Sequence, residues 1–375
     1  MLYSVIASFP LFFAGGFAIR LQDDLGINKS QFGLAISAYF ITSTIASFTI
    51  GSWIDRRGAR VGFIMAGVGG SIASIIVALS NSFWPFAIGL AVAGLSNTAG
   101  QLGGNRVLAG LGAERQGAGF GVKQAAVPMG SFLAGVAVST IGSGLDWRAA
   151  FFGYSVLALA SVTIAPAGPG AASAGEPRRP VGDDWPFLLA LASAGALGGA
   201  TGNGLAVLTV DAFGAAGFAE NVGATALAIG SAITIVGRIG LGWLAGRRQT
   251  TGFVELGTAM AIGAIAFFIM AIAETNQVLI WVGALLAFLG AWGWPGVMYY
   301  TVVRNATTTP GTATGFVVTG VFLGGILGAP LLAVIADRWS YQSAWTTAAT
   351  MSFVSTGLIV LARQLSASSQ RTKDP

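Results

Sequence analysis

The 375 residues include no cysteine and no histidine. The first absence excludes disulfides, thiolate metal sites and a cysteine nucleophile. The second removes the commonest general base and metal ligand. Charge is also scarce: Asp, Glu, Lys and Arg make up 9% of the chain, against roughly 25% in a soluble domain. No carboxylate stands near the middle of a long apolar run. Asp211, Glu220, Glu255 and Glu274 lie at run ends or in loops. A membrane-embedded enzyme would find little reactive chemistry here, and a proton path through a buried acid is not expected. No G-x-x-x-x-G-K-[ST] loop is present, which argues against ATP-driven pumping.

Apolar residues fill the space left by these absences. They make up 54% of the chain, with 56 glycines, and glycine suits close helix–helix contact in lipid. A helical span needs about 20 apolar residues. Twelve such runs can be drawn, at 2–21, 31–53, 61–80, 83–109, 119–142, 148–167, 186–210, 223–245, 252–273, 277–303, 312–336 and 342–362. The expectation is an all-α, multi-pass protein with twelve transmembrane helices and the lipid bilayer as its main partner. The first run has no basic region before it, and Arg20, Asp23 and Asp24 follow it where a cleavage site would need small residues. It is expected to be a retained helix, with a short cytoplasmic tail ahead of Met1 left open.

Lys and Arg set the orientation. Alternate loops and the tail hold Arg56, Arg57, Arg60, Arg115, Arg178, Arg179, Arg247, Arg248, Arg304, Arg363, Arg371 and Lys373. The other loops hold Arg20, Lys29, Arg148 and Arg338. Twelve against four places both termini in the cytoplasm of a cell (plasma or inner) membrane. The net charge of +5 is explained by topology, and no nucleic-acid partner is expected. Residues 168–185, rich in Pro, Gly, Ala and charge, read as a linker. It separates an N-terminal six-helix half (1–167) from a C-terminal half with a short tail (186–375). The halves echo each other: GSWIDRRG (51–58) with GWLAGRRQ (242–249), DWRAAF (146–151) with SYQSAW (340–345), and GFGV (119–122) with GFVV (315–318). The second copy has Gly246 where the first has Asp55.

GSWIDRRGARVG (51–62) resembles the loop between helices 2 and 3 of the major facilitator superfamily, G-x-L-x-D-R-x-G-R-K/R. Gly51, Asp55, Arg56, Gly58 and Arg60 fall in register, and Trp53 replaces the usual Leu. The resemblance implies two six-helix bundles around a central cavity, with alternating access. It also implies that Asp55 and Arg56, with Gly58 and Arg60, form a cytoplasmic conformational latch. A generic positive-inside loop is the plainer alternative. LGGNRVLAG (102–110) resembles the family's helix-4 pattern L-x-x-x-R-x-x-Q-G, with Ala109 in place of Gln. By that resemblance Arg106 couples protons or braces the loop. It could equally be a structural partner of Asp55 or Glu114.

Three cations lie well within runs: Arg106, Lys123 and Arg238. An intramembrane cation must face a wet cavity or a partner. With no acid at comparable depth, some positive charge is left for a substrate anion. Arg238 stands nine residues before Arg247, roughly 13 Å along a helix and close to the midplane where transporter sites lie. GRIGLGWLAGRR (237–248) resembles helix 8 of oxalate and monocarboxylate carriers, in which the Arg meets a carboxylate. Backbone carbonyls could neutralise Arg238 instead. Lys123 could hold an anion or snorkel to the interface. Asn97, Gln101 and Asn105 share one helical face. Asn97 and Gln101, with Asn203, Trp294 and Tyr299, are the other substrate-binding candidates, and Pro295 permits a hinge. Phe9, Phe13 and Phe17 form a packing stripe. The segment KQAAVPMG (123–130) departs from the drug/proton-antiporter pattern G-x-x-x-G-P-x-x-G-G.

The sequence therefore predicts a secondary transporter of a small organic anion, monomeric and without cofactor or metal. The coupling ion is left open between a proton and a counter-anion. A multidrug/proton efflux antiporter and a non-transporting membrane sensor of the same fold are the alternatives.

Overall fold

The structure, a computed structural model, describes residues 2–130, 132, 146–165, 182–218, 220–273 and 276–371. Most of the expected linker (168–181), the second half of the run at 119–142 and Glu274 lie outside these residues. Each of the twelve runs is mainly helical where described, and no strand occurs among the described residues. In order the helices are α1 (Leu2–Gly16), α2 (Ala18–Leu25), α3 (Lys29–Arg57), α4 (Ala59–Ala78), α5 (Phe83–Ala109), α6 (Ala113–Gln124) and α7 (Trp147–Ser161). Then come α8 (Trp185–Ala215), α9 (Glu220–Arg247), α10 (Phe253–Ala273), α11 (Gln277–Gly290), α12 (Pro295–Asn305), α13 (Pro310–Arg338) and α14 (Tyr341–Arg371).

Local chemistry explains the boundaries. Asn28 opens α3 with a capping box: its side chain accepts from Gln31 N at 2.9 Å, and Gln31 Oε1 accepts from Asn28 N at 3.0 Å. Gly58, at φ 89°, ends α3 in a conformation that a side chain would strain. Asp146 caps α7 through Arg148 N. The first run is not one helix, because it breaks at Phe17. The run at 277–303 divides at the turn 291–294, with Pro295 at the first turn of α12, where its missing N–H costs nothing. α3 is bent by 54° between Gln31–Ser47 and Thr49–Arg57. Ser47 Oγ and Thr49 Oγ1 donate back to Thr44 O and Ala46 O beside the bend, a bonding pattern that curves helices.

Seven helical segments among the described residues are individually long and apolar enough to cross a bilayer, and bent α3 makes an eighth. Part of the shortfall from twelve is compositional, since α5 carries Asn97, Gln101 and Asn105 and α8 carries Asn203 among many glycines. In addition, α1 has 15 residues before the break at Phe17, and the second half of the run at 119–142 lies outside the described residues.

The chain forms two compact units. Unit 1 comprises Met1–Gly110, Ala126–Arg178 and Thr309–Gly315; unit 2 comprises Leu111–Ala125, Arg179–Thr308 and Phe316–Pro375. Unit 1 packs around Phe13, Phe17, Tyr39, Phe86, Trp147 and Phe151. The phenylalanine stripe of α1 is packing, with ring centroids 4.8 and 5.1 Å apart. Asp24 ties α2 to α7, accepting from Trp147 Nε1 at 2.6 Å and Arg148 Nη1 at 3.2 Å. Unit 2 packs around Phe213, Phe267, Phe288 and Trp345, with Phe267 and Trp345 stacked at 5.8 Å. Large apolar side chains such as Val236, Ile265, Phe268 and Phe353 face outward. That inversion suits a lipid solvent, in which the backbone must satisfy its own hydrogen bonds.

Candidate functional site

Two polar centres stand out, one in each unit. In unit 1, α3 carries Asp55 to the first turn of α13. Asp55 Oδ1 accepts from Arg106 Nη1 at 2.8 Å and from Gly311 N at 3.2 Å. Oδ2 accepts from Thr309 Oγ1 at 2.6 Å, Thr312 N at 3.0 Å and Thr312 Oγ1 at 3.3 Å. The carboxylate thus neutralises a cation and caps a helix whose N-terminal amides carry partial positive charge. Small residues permit the approach: a Cβ on Gly51 would stand 2.6 Å from Gly311 O, and one on Gly315 2.7 Å from Ser47 O. Arg56 and Arg60 do not join. Both are exposed, and Arg56 Nε reaches back only to Ser52 O. Gly58 turns the chain between α3 and α4.

In unit 2 the matching position, Gly246, has no acid to offer. The chain uses proximity there instead. Gly242 and Gly246 of α9 lie against Gly117 and Gly121 of α6, so closely that a Cβ on Gly246 would stand 2.8 Å from Glu114 O. Another carboxylate, Asp184, accepts from Thr307 N at 2.6 Å, Thr307 Oγ1 at 2.9 Å and Thr308 N at 2.8 Å. It fixes the segment ahead of α13.

The glycine crossing brings Arg238 of α9 beside Lys123 and Gln124 of α6. Arg238 is 2% exposed. Its Nη1 donates to Gln124 O at 2.6 Å and its Nε to Trp292 O at 3.0 Å; the guanidinium carbon lies 5.5 Å from the Trp292 ring centroid. Both carbonyls sit where their helices end, at the α6 C-terminus and in the α11–α12 break, where carbonyls lack helical partners. Two of the five guanidinium N–H groups serve these bonds, and among the described residues no carboxylate pairs with Arg238. Lys123 does not snorkel: it is 3% exposed, with Nζ 5.3 Å from the Tyr299 ring centroid. Tyr299 is buried beside it.

The remaining candidates are placed differently. Asn97, Gln101 and Asn105 are buried on α5 of unit 1, and Asn97 Oδ1 has no hydrogen-bond partner. Asn203 Nδ2 turns back to Gly199 O at 2.8 Å. The single N–H of Trp294 is used within the break, on Ala291 O at 2.8 Å. Gln124, Trp292, Thr309, Thr312 and Asp184 are additions that were not among the expected site residues. Only Gln124 and Trp292 had a signal, as polar and aromatic residues beside a cation or a proline. A surface groove of about 320 Å³ between α10 and α14, lined by Phe253, Gly257, Thr356, Val360 and Arg363 among others, includes none of the candidate residues.

Comparison with known proteins agrees with this architecture. The structure resembles the human organic anion transporter MFSD10 (TETRAN), with a TM-score of 0.72, 16% identity and 96% of each chain covered. It also resembles the E. coli fucose:proton symporter FucP, with a TM-score of 0.72, 12% identity, and 96% of this chain and 98% of that one covered. For the proton:xylose symporter XylE the TM-score is 0.72 and the identity 13%, over 95% of this chain and 92% of that one. At such identities the likeness shows the fold alone. No curated protein sequence matches significantly. Residues 1–272 match the Major Facilitator Superfamily, and the chain, with its all-helical multi-span fold, belongs to that family of membrane transporters.

Proposed function

We propose that the protein is a secondary transporter of a small organic anion, working by alternating access in a cell membrane with both termini in the cytoplasm. One observation carries the reading: Arg238 is buried and charged, and has no carboxylate partner among the described residues. A guanidinium in that state is stabilised by backbone carbonyls yet keeps N–H groups for a planar anion, which it can bind in a two-pronged fashion. Lys123 supplies a second buried cation in the same neighbourhood, and Tyr299 a hydroxyl. The carbonyl bonds satisfy the structural alternative for Arg238 and also orient the side chain; the two roles are compatible. Asn97 and Gln101 are retained as polar binding candidates in unit 1, and Asn203 and Trp294 as framing residues. The likeness to MFSD10, an organic anion transporter, agrees with this class, whereas the fucose:proton symporter FucP and the proton:xylose symporter XylE show that the fold also serves sugars.

The Asp55–Arg106 centre is the proposed conformational latch, acting through the cap on α13. The coupling ion is a proton or a counter-anion. The experiment is a thermal-shift screen of mono- and dicarboxylates on the purified protein, followed by flux in proteoliposomes, with Arg238→Ala in parallel. A ligand that binds the folded state raises its melting temperature by mass action. A carboxylate that stabilises the parent but not the folded variant supports the assignment. Stabilisation by lipophilic cations alone would replace it with efflux.

A further inference from the structure

Gln124 Oε1 is buried without a hydrogen-bond partner, on a residue 5% exposed. Its carbonyl accepts from Arg238 Nη1 at 2.6 Å, and in the same unit Lys123 Nζ lies 5.3 Å from the Tyr299 ring centroid. A buried orphan acceptor is costly, and native proteins keep few of them without a purpose. This one sits within the set of groups proposed to bind the substrate.

The chemistry of its neighbours narrows what would satisfy it. Arg238 and Lys123 offer only donors and positive charge, so the group they attract is an anion. Gln124 Oε1 needs the opposite, a donor. An ammonium would have to stand beside two cations and is repelled by both. A hydroxyl carries no such penalty. Building on the organic-anion reading above, we infer that the substrate is a short hydroxycarboxylate, with the carboxylate on Arg238 and Lys123 and the hydroxyl donating to Gln124 Oε1. Sites that hydrogen-bond a substrate hydroxyl reject the analogue lacking it far more strongly than apolar pockets reject a missing methylene.

The test uses acid pairs that differ only by that hydroxyl: glycolate with acetate, and 2-hydroxybutyrate with butyrate. Affinities come from thermal shift and from competition for uptake into proteoliposomes holding the full chain. The parent is expected to prefer the hydroxy member of each pair by at least about tenfold, and in Gln124→Met that ratio is expected to fall to about one. A parent that binds acetate and butyrate as well as their hydroxy partners overturns the inference and leaves the anion reading standing. So does a preference that persists unchanged in folded Gln124→Met. If none of the four acids binds the parent while another carboxylate does, this inference fails and the anion reading stands; if no carboxylate binds, both fail. The comparison within the parent decides the matter even if the variant does not fold.

Discussion

Asp55→Asn is the sharpest test of the unit 1 centre, because one side chain there takes five hydrogen bonds. The substitution keeps the shape, removes the charge opposite Arg106, and turns one acceptor into a donor facing other donors. Hydrogen bonds to a charged group contribute about 1.5–3 kcal/mol each, but five on one carboxylate are not independent. The side chains of Arg106 and Asp55 are 13% and 8% exposed, so the pair keeps a little solvent and falls short of the full penalty for breaking a buried one. A net loss of about 2–4 kcal/mol follows. At about 2–4 °C per kcal/mol for a domain of roughly 150–250 residues, the melting temperature in detergent should fall by roughly 5–15 °C. Gly311→Ala should lower it by a different route, since the new Cβ would stand 2.5 Å from Asp55 Oδ1. Arg56→Ala, in the same motif but exposed, should shift stability by less than about 0.5 kcal/mol. The measurement is differential scanning fluorimetry on the three variants and the parent. Asp55→Asn melting within about 1 °C of the parent, or no worse than Arg56→Ala, would refute the reasoning.

Other expectations are narrower. Gly246→Ala should destabilise by about 1–3 kcal/mol through overpacking against Glu114 O, whereas Gly240→Ala, with nothing within 4 Å of its Cβ, should be neutral or gain up to about 1 kcal/mol in helix propensity; melting curves of the pair decide it. Arg238→Met should leave the carbonyls of Gln124 and Trp292 short of a donor, costing about 1–3 kcal/mol each, and should abolish carboxylate-induced stabilisation; the variant's melting temperature with and without ligand reads both. Asp184→Asn should cost about 1–3 kcal/mol and free the amides of Thr307 and Thr308, read as faster hydrogen exchange at those two residues.

The helices were legible because a lipid solvent leaves long apolar runs as a plain signature. The pairing of Asp55 with Arg106 was legible too, since two charges at one depth of a membrane protein seek each other. Their other partners were not. Thr309, Gly311 and Thr312 are unremarkable polar and small residues until the fold places the start of α13 beside α3. The bend of α3 depends on how back-bonded hydroxyls and neighbouring helices share the strain, whereas the break at Phe17 directly follows Gly15 and Gly16, a pair that punctuates helices. Arg238 was legible as a charge in an apolar run. Its two carbonyl partners belong to other helices and are defined by where those helices end. Lys123 left two directions open, toward an anion or toward the interface, and α6 turns it inward over Tyr299, a direction that helical phase decides and distance from a loop does not.

The two related crossings, α3 with the start of α13 and α6 with α9, are built from different materials and fail in different ways. The first depends on chemistry: a substitution that keeps an acceptor in place of Asp55 can keep part of its function, so a graded series of weakened proteins should exist. The second depends on volume. Glycine is the smallest residue, so every replacement at Gly117, Gly242 or Gly246 adds atoms where backbone already stands, and no conservative choice is available. Random mutagenesis should therefore return many partial-activity variants from the first crossing and an abrupt, all-or-none pattern from the second. A loss at the second should be rescued only by changes that move a whole helix.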